Sequence, residues 1–168
     1  MKKLILIILF TLQLAYGFNQ NAMSARDTAG NLIDFTELRG QWVIINYWAS
    51  WCPPCIEEIP ELNRFYQTYK NDNVTLLGVN YDRVNSEQLQ QIIEDMDVQF
   101  LTLSADPAEE LGIGEVLTLP ATYILNPEGQ LISKLIGPQT QASLLAAIGS
   151  TSDPTTELSQ NTMREQYE

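Results

Sequence analysis

The sequence predicts an α/β fold, a central mixed β-sheet flanked by helices, with an N-terminal β-hairpin. Three observations carry this reading. Apolar, β-branched runs alternate with segments whose apolar residues recur every three or four. Two strand-like runs near the end are joined too tightly to be parallel, so the sheet must be mixed. The length of 168 residues suits one domain with a core of ordinary size.

The elements follow in chain order. Met1-Lys2-Lys3 is basic, Leu4 to Leu14 is apolar except for Thr11 and Gln13, and Ala15-Tyr16-Gly17 brings small residues. This is the layout of a signal peptide over residues 1–17 with cleavage after Gly17; the alternative is an uncleaved N-terminal anchor. Either way the rest of the chain is expected to be exported. A folded domain is expected over 18–149 and a disordered polar and acidic tail over 150–168.

Within the domain, Asn19 to Asp34 reads as a hairpin turning at Asp27-Thr28-Ala29-Gly30. Trp42 to Trp48 is a buried strand, aromatic and β-branched. Pro53 to Lys70 is an amphipathic helix with an apolar stripe of Ile56, Ile59, Leu62, Phe65, Tyr66 and Tyr69. Val74 to Tyr81 is a second core strand. Asn85 caps the next helix, with Gln88 completing a capping box and Leu89, Ile92, Ile93 and Met96 facing inward. Phe100 to Leu103 is a short strand and Pro107 to Leu111 a short helix. Ala121 to Asn126 and Leu131 to Ile136 form a hairpin through the turn Asn126-Pro127-Glu128-Gly129. Thr140 to Ile148 is the closing helix, with Leu144, Leu145 and Ile148 inward.

Composition excludes several chemistries. With no histidine there is no Ser-His-Asp or Cys-His catalysis, and no His-ligated metal or haem. Two cysteines cannot build a four-thiolate zinc or iron–sulfur site. A net charge of −12 repels phosphate backbones, so no nucleic-acid partner is expected.

One strong chemical signal remains, Trp51-Cys52-Pro53-Pro54-Cys55, at the junction of a core strand and a helix. Free N–H groups and the macrodipole at a helix start favour a thiolate at Cys52. Cys52 is therefore read as the attacking nucleophile and Cys55 as the resolving thiol, together a redox-active disulfide. Pro53 and Pro54 bring no N–H, which leaves the backbone N–H of Cys55 as the main donor for the Cys52 thiolate. A modest fall in thiol pKa, and hence a reductant, is the expectation. A static disulfide closing so short a loop would stabilise little, and a two-thiolate metal site lacks His or Met neighbours. No metal and no organic cofactor are expected.

The run Ile45-Asn46-Tyr47-Trp48-Ala49-Ser50-Trp51-Cys52-Pro53-Pro54-Cys55, with Glu57-Glu58-Ile59-Pro60, Leu38-Arg39-Gly40 and Leu119-Pro120-Ala121-Thr122-Tyr123-Ile124-Leu125, resembles the thioredoxin superfamily. Within it the match is to exported TlpA/ResA-like thiol–disulfide oxidoreductases. The resemblance implies a thioredoxin-like fold and a cis-proline at Pro120 which, with Leu119 and Trp51, meets the substrate. It implies a helix kink at Pro60 and a role for Glu58 as a proton shuttle to Cys55; the bland alternative for Glu58 is a solvated carboxylate beside Glu57 and Glu61. Asn46 stands where thioredoxins carry a buried Asp, which shifts weight to Glu58. Ala121 stands where the cytochrome c maturation branch usually has an acid, which weakens a dedicated role there. The implied activity is a monomeric, periplasmic protein-disulfide reductase. Its implied partners are client proteins with disulfides and a transmembrane thiol reductant as electron donor. The rivals are a disulfide-introducing oxidase and a non-catalytic client- or copper-binding module.

Overall fold

The computed structural model describes residues 23–149, so the predicted leader over 1–17 and the predicted tail over 150–168 lie outside the described residues. The elements run β1 (Ser24–Arg26), β2 (Leu32–Asp34), β3 (Trp42–Trp48), α1 (Pro53–Tyr69), β4 (Val74–Asn80), α2 (Ser86–Asp95), β5 (Leu101–Leu103), β6 (Ala121–Leu125), β7 (Leu131–Ile136) and α3 (Gln141–Gly149). The sheet order is β5-β4-β3-β6-β7. β3, β4 and β5 run parallel, and β6 and β7 return antiparallel. This is the expected mixed sheet, with a separate β1-β2 hairpin.

β3 lies at the centre because both of its faces are apolar. Ile44 and Trp48 pack on the helical side with Ile59, Leu62, Phe65 and Leu144. Val43, Ile45 and Tyr47 pack on the other, with Phe35, Leu111 and Ile113. Side chains alternate along a strand, so Asn46 faces the helical side between Ile44 and Trp48. That single polar residue on an apolar strand face marks where the site will be.

Three details depart from the expectations. No helix forms over 107–111: one backbone bond, Leu111 N–H to the Pro107 carbonyl, closes a single turn. Gly112 and Gly114 then take φ of +66° and +74°, which a right-handed helix cannot continue through. Second, the buried face of α1 is rotated from the predicted stripe: Ile56 is exposed, whereas Glu58 is buried with Cys55, Ile59, Leu62, Asn63 and Phe65. Cys55 turns inward in the first turn of the helix and begins its buried face. Residues three and four further on follow it inside. Third, in α2 only Leu89 is fully buried, while Ile92, Ile93 and Met96 pack partly covered.

The capping box on α2 forms as predicted, with Asn85 accepting from the Gln88 N–H at 2.9 Å. The Leu38-Arg39-Gly40 turn docks on the β6–β7 turn: the Gly40 N–H donates to the Pro127 carbonyl at 2.8 Å, and Arg39 donates to the Glu128 carbonyl. Gly129 has φ +75°, and a Cβ there would lie 3.2 Å from the Arg39 guanidinium.

Candidate functional site

Cys52 is the N-cap of α1, with extended backbone (φ −101°, ψ 101°) and prolines in the first two helical positions. The two sulfurs are joined in a disulfide, with the Cα atoms 5.3 Å apart. Cys52 borders an open groove of about 680 Å³, together with Trp51, Tyr81, Arg83, Leu117 and Leu119. Cys55 is fully buried and does not line the groove. Cys52 is itself only 4% exposed, so the two residues differ in that one borders the groove and the other does not. The Cys55 N–H expected to serve the Cys52 thiolate donates to the Cys52 carbonyl at 3.0 Å in this disulfide form.

The groove's rim is apolar and open. Trp51 is 65% exposed and Leu117 76% exposed, unusual values for residues of this size in a folded domain. The Leu119–Pro120 peptide is cis. Pro120 is buried, and its carbonyl accepts from the Gly137 N–H at 3.0 Å. The position of Trp51 is fixed from behind. The Asp82 carboxylate accepts from the Ser50 N–H at 2.9 Å, the Ser50 hydroxyl at 2.6 Å and the Asn80 amide at 2.6 Å. The end of β4 therefore clamps the turn that leads into Cys52. Tyr81, also on the groove, donates to Asp106 at 2.8 Å, and Tyr47 donates to the other oxygen at 2.8 Å. Burial and the Asp106 carboxylate push both phenols well above their ordinary pKa.

On the inner side stands Glu58, 1% exposed. It is no solvated surface carboxylate. Oε1 accepts from Asn46 Nδ2 at 2.8 Å and Oε2 from the Gln139 N–H at 2.7 Å. Burial raises its pKa from 4.5 to about 7, against the lowering effect of these two donors. Asn46 Nδ2 also donates to Thr122 Oγ1 at 3.1 Å, and Asn46 Oδ1 has no partner among the described residues. Pro60 lies within α1 and removes the helical donor for the Ile56 carbonyl.

The structure thus brings Trp51, Cys52 and Leu119 to the groove, with Pro120 buried next to Leu119, and places Cys55 and Glu58 on the buried face of α1. Sequence reasoning missed Ser50, Asn80, Asp82, Leu117 and Gln139. The Asn80-x-Asp82 spacing is a readable turn signal, but its contact with Ser50 spans 32 residues. Gln139 acts through its main-chain N–H, which leaves no mark in side-chain identity. Among the described residues, no cluster of His, Cys, Asp or Glu could hold a metal ion.

A mixed five-stranded sheet with a Cys-Pro-Pro-Cys disulfide at the start of its first long helix and a cis-proline nearby defines a thioredoxin-like protein. The chain belongs to the AhpC/TSA family, whose model matches residues 13–134. It is 36% identical over 110 residues to sporulation thiol-disulfide oxidoreductase A of Bacillus subtilis, covering 63% of this chain and 66% of that protein. It is 28% identical over 118 residues to thiol-disulfide oxidoreductase ResA of Bacillus cereus, covering 70% and 68%. The match thus spans about two thirds of the length of these relatives. The crystal structure of StoA from Bacillus subtilis superposes with a TM-score of 0.62 at 28% identity, over 72% of this chain and 91% of that one.

Proposed function

We propose that this protein is an exported thiol–disulfide oxidoreductase that reduces disulfides in client proteins. The observation that carries the reading is the placement of the cysteine pair: both are buried, but Cys52 lines the groove whereas Cys55 does not and stands three residues before the buried Glu58 on α1. In the dithiol form the Cys52 thiolate attacks a client disulfide. A mixed disulfide forms, and one client sulfur leaves as a thiolate. Deprotonated Cys55 then attacks the Cys52 sulfur and releases the second client thiolate, leaving the Cys52–Cys55 disulfide. Two electrons pass to the client. Glu58, titrating near neutrality, accepts the Cys55 proton. The relatives named thiol-disulfide oxidoreductases support the chemistry.

The apolar rim of Trp51 and Leu117, with cis-Pro120, receives an extended client segment. A transmembrane thiol reductant returns the pair to the dithiol state. The leader over 1–17 supports export to the periplasm, either as a cleaved soluble protein or N-terminally anchored. No helix among the described residues is long and apolar enough to cross a membrane. Ala121 after the cis-proline favours general clients over dedicated service to cytochrome c maturation. Reduction of insulin disulfides by dithiothreitol, compared with Cys52→Ser, tests the reading. Wild-type turnover no faster than the variant's sinks it.

A further inference from the structure

The surroundings of Glu58 contain an imbalance of donors and acceptors. With Glu58 ionised, both its oxygens accept: Oε1 from Asn46 Nδ2 and Oε2 from the Gln139 N–H. When Glu58 takes up a proton it gains a donor, and that donor needs an acceptor. Gln139 presents a main-chain N–H, which can only donate. Oε2 therefore stays an acceptor in both charge states, and the proton belongs on Oε1, facing Asn46.

Asn46 can meet either state, because one end of its carboxamide donates and the other accepts. Its Oδ1 is buried and unpartnered while Nδ2 serves both Glu58 and Thr122. Turning the carboxamide over puts Oδ1 where Nδ2 stood, to accept from the Glu58 O–H. Thr122 can follow, since a hydroxyl that accepts from Nδ2 can rotate and donate to Oδ1. A buried site with one idle acceptor, one reversible amide and one rotatable hydroxyl is equipped for two protonation states.

We propose that Asn46 is a positioning residue that holds Glu58 in both charge states, presenting Nδ2 to the carboxylate and Oδ1 to the carboxylic acid, with Thr122 reversing its hydroxyl in step. The purpose of this device rests on Glu58 carrying a proton during thiol exchange; its existence does not. The groups facing the carboxyl are Asn46 from β3, Thr122 through it from β6, and Gln139 from the turn before α3. On α1, Cys55 is held in the disulfide, and Glu61 is engaged by the Gln141 N–H and Arg64, which keep its pKa below the ordinary value. Neither changes charge in the window where Glu58 titrates.

The test is side-chain NMR on the full chain in its disulfide form, following the Glu58 carboxyl carbon and the Asn46 amide group from about pH 5 to about pH 9. The Asn46 amide signals are expected to shift with the same midpoint as the Glu58 carboxyl. In Glu58→Gln, a permanent mimic of the protonated acid, they should hold their low-pH positions at every pH. Asn46 signals that stay still through the Glu58 titration overturn the proposal, and this needs no variant to fold. So do signals in Glu58→Gln that match the wild type at high pH. No client or turnover enters the measurement. An inactive enzyme would leave it standing, and a flat Asn46 titration would leave the thiol-exchange reading intact.

Discussion

Three residues along α1 from Cys55, the Glu58 carboxyl meets a carboxamide and, through it, a hydroxyl, each nearly or wholly closed to water. On the groove with Cys52 stand an indole and a leucine side chain mostly open to water. Isolated departures from the radial order occur elsewhere, such as buried Asp27 and Asn63 or exposed Leu32 and Ile136. Around the cysteine pair a buried polar cluster and an exposed apolar pair occur together. On the proposed function, the inner polar groups hold a proton away from solvent and the exposed apolar side chains grip a client segment. Each half costs stability in its own way: desolvation in the cluster, unburied apolar area on the groove. A core selected for folding alone would have neither.

Substitutions on the two sides should therefore behave differently, and the disulfide itself sets the upper limit. Cys52→Ser should abolish insulin-disulfide reduction, while Cys55→Ala should accumulate a mixed disulfide at Cys52, visible as a client adduct on non-reducing gels. On the inner side, Glu58→Gln should act through pH. The folded protein raises the Glu58 pKa from 4.5 to about 7, so the neutral acid is favoured by folding. That contribution is fully present below about pH 4.5 and is lost as pH rises through about 7. Relative to Glu58→Gln, the wild type should lose on the order of 3 kcal/mol between those limits, read by denaturant unfolding of both disulfide forms. Because the comparison is a difference, Asp27, Asp34 and Glu61, whose lowered pKa values act in the opposite sense, cancel from it. The variant should also flatten the pH dependence of exchange near neutrality.

Asp82→Ala lies between the two sides. It removes the acceptor for two Ser50 donors and so loosens the turn carrying Trp51. It should destabilise by about 1–3 kcal/mol and slow protein-disulfide reduction. The smallest expected effect is Leu117→Ala on the outer rim. Stability should stay within about 0.5 kcal/mol of wild type, because the side chain packs on little. The KM for a protein client should rise severalfold, with the rate on a small-molecule disulfide unchanged. An equal loss on both substrates would remove the gripping role from the rim.

How much of this could be read in advance follows the same division. The strands and helices were legible wherever one residue pattern decided them: β7 falls on its predicted span, and the Asn85 cap forms with its Gln88 partner. The failed helix at 107–111 was not legible, because Pro107 and the acidic residues after it are good helix starters and the decision lay with two glycines beyond. The cysteines and Pro120 stand in recognisable runs. Glu58 was poised between surface and core, since a carboxylate on a helix reads as exposed unless its helix phase is known. That phase is set by which residues pack on the sheet: Cys55, Ile59, Leu62 and Phe65 lie inside and Ile56 does not. Leu117 was silent, because nothing local distinguishes an exposed leucine from a buried one.

The β1-β2 hairpin has a consequence at the far edge of the sheet. Its Thr28 N–H donates to the Thr102 carbonyl at 2.9 Å, the Ser104 N–H donates to the Arg26 carbonyl at 2.7 Å, and Asp27 bridges Leu103 in antiparallel fashion. β5 is only three residues long, and these bonds occupy its outward-facing Thr102 carbonyl and the N–H of Ser104 just beyond it. Unprotected, it would be a template on which another chain could extend the sheet. The hairpin thus serves as a selvedge, a finished border that stops one side of the fabric from being added to. At the other border, β7 relies on different protection: Lys134 at mid-strand and the register shift opposite Ile124 and Leu125. On the proposed function, a protein that receives extended client segments meets such pairing at every encounter. Its two sheet edges are guarded by two separate means.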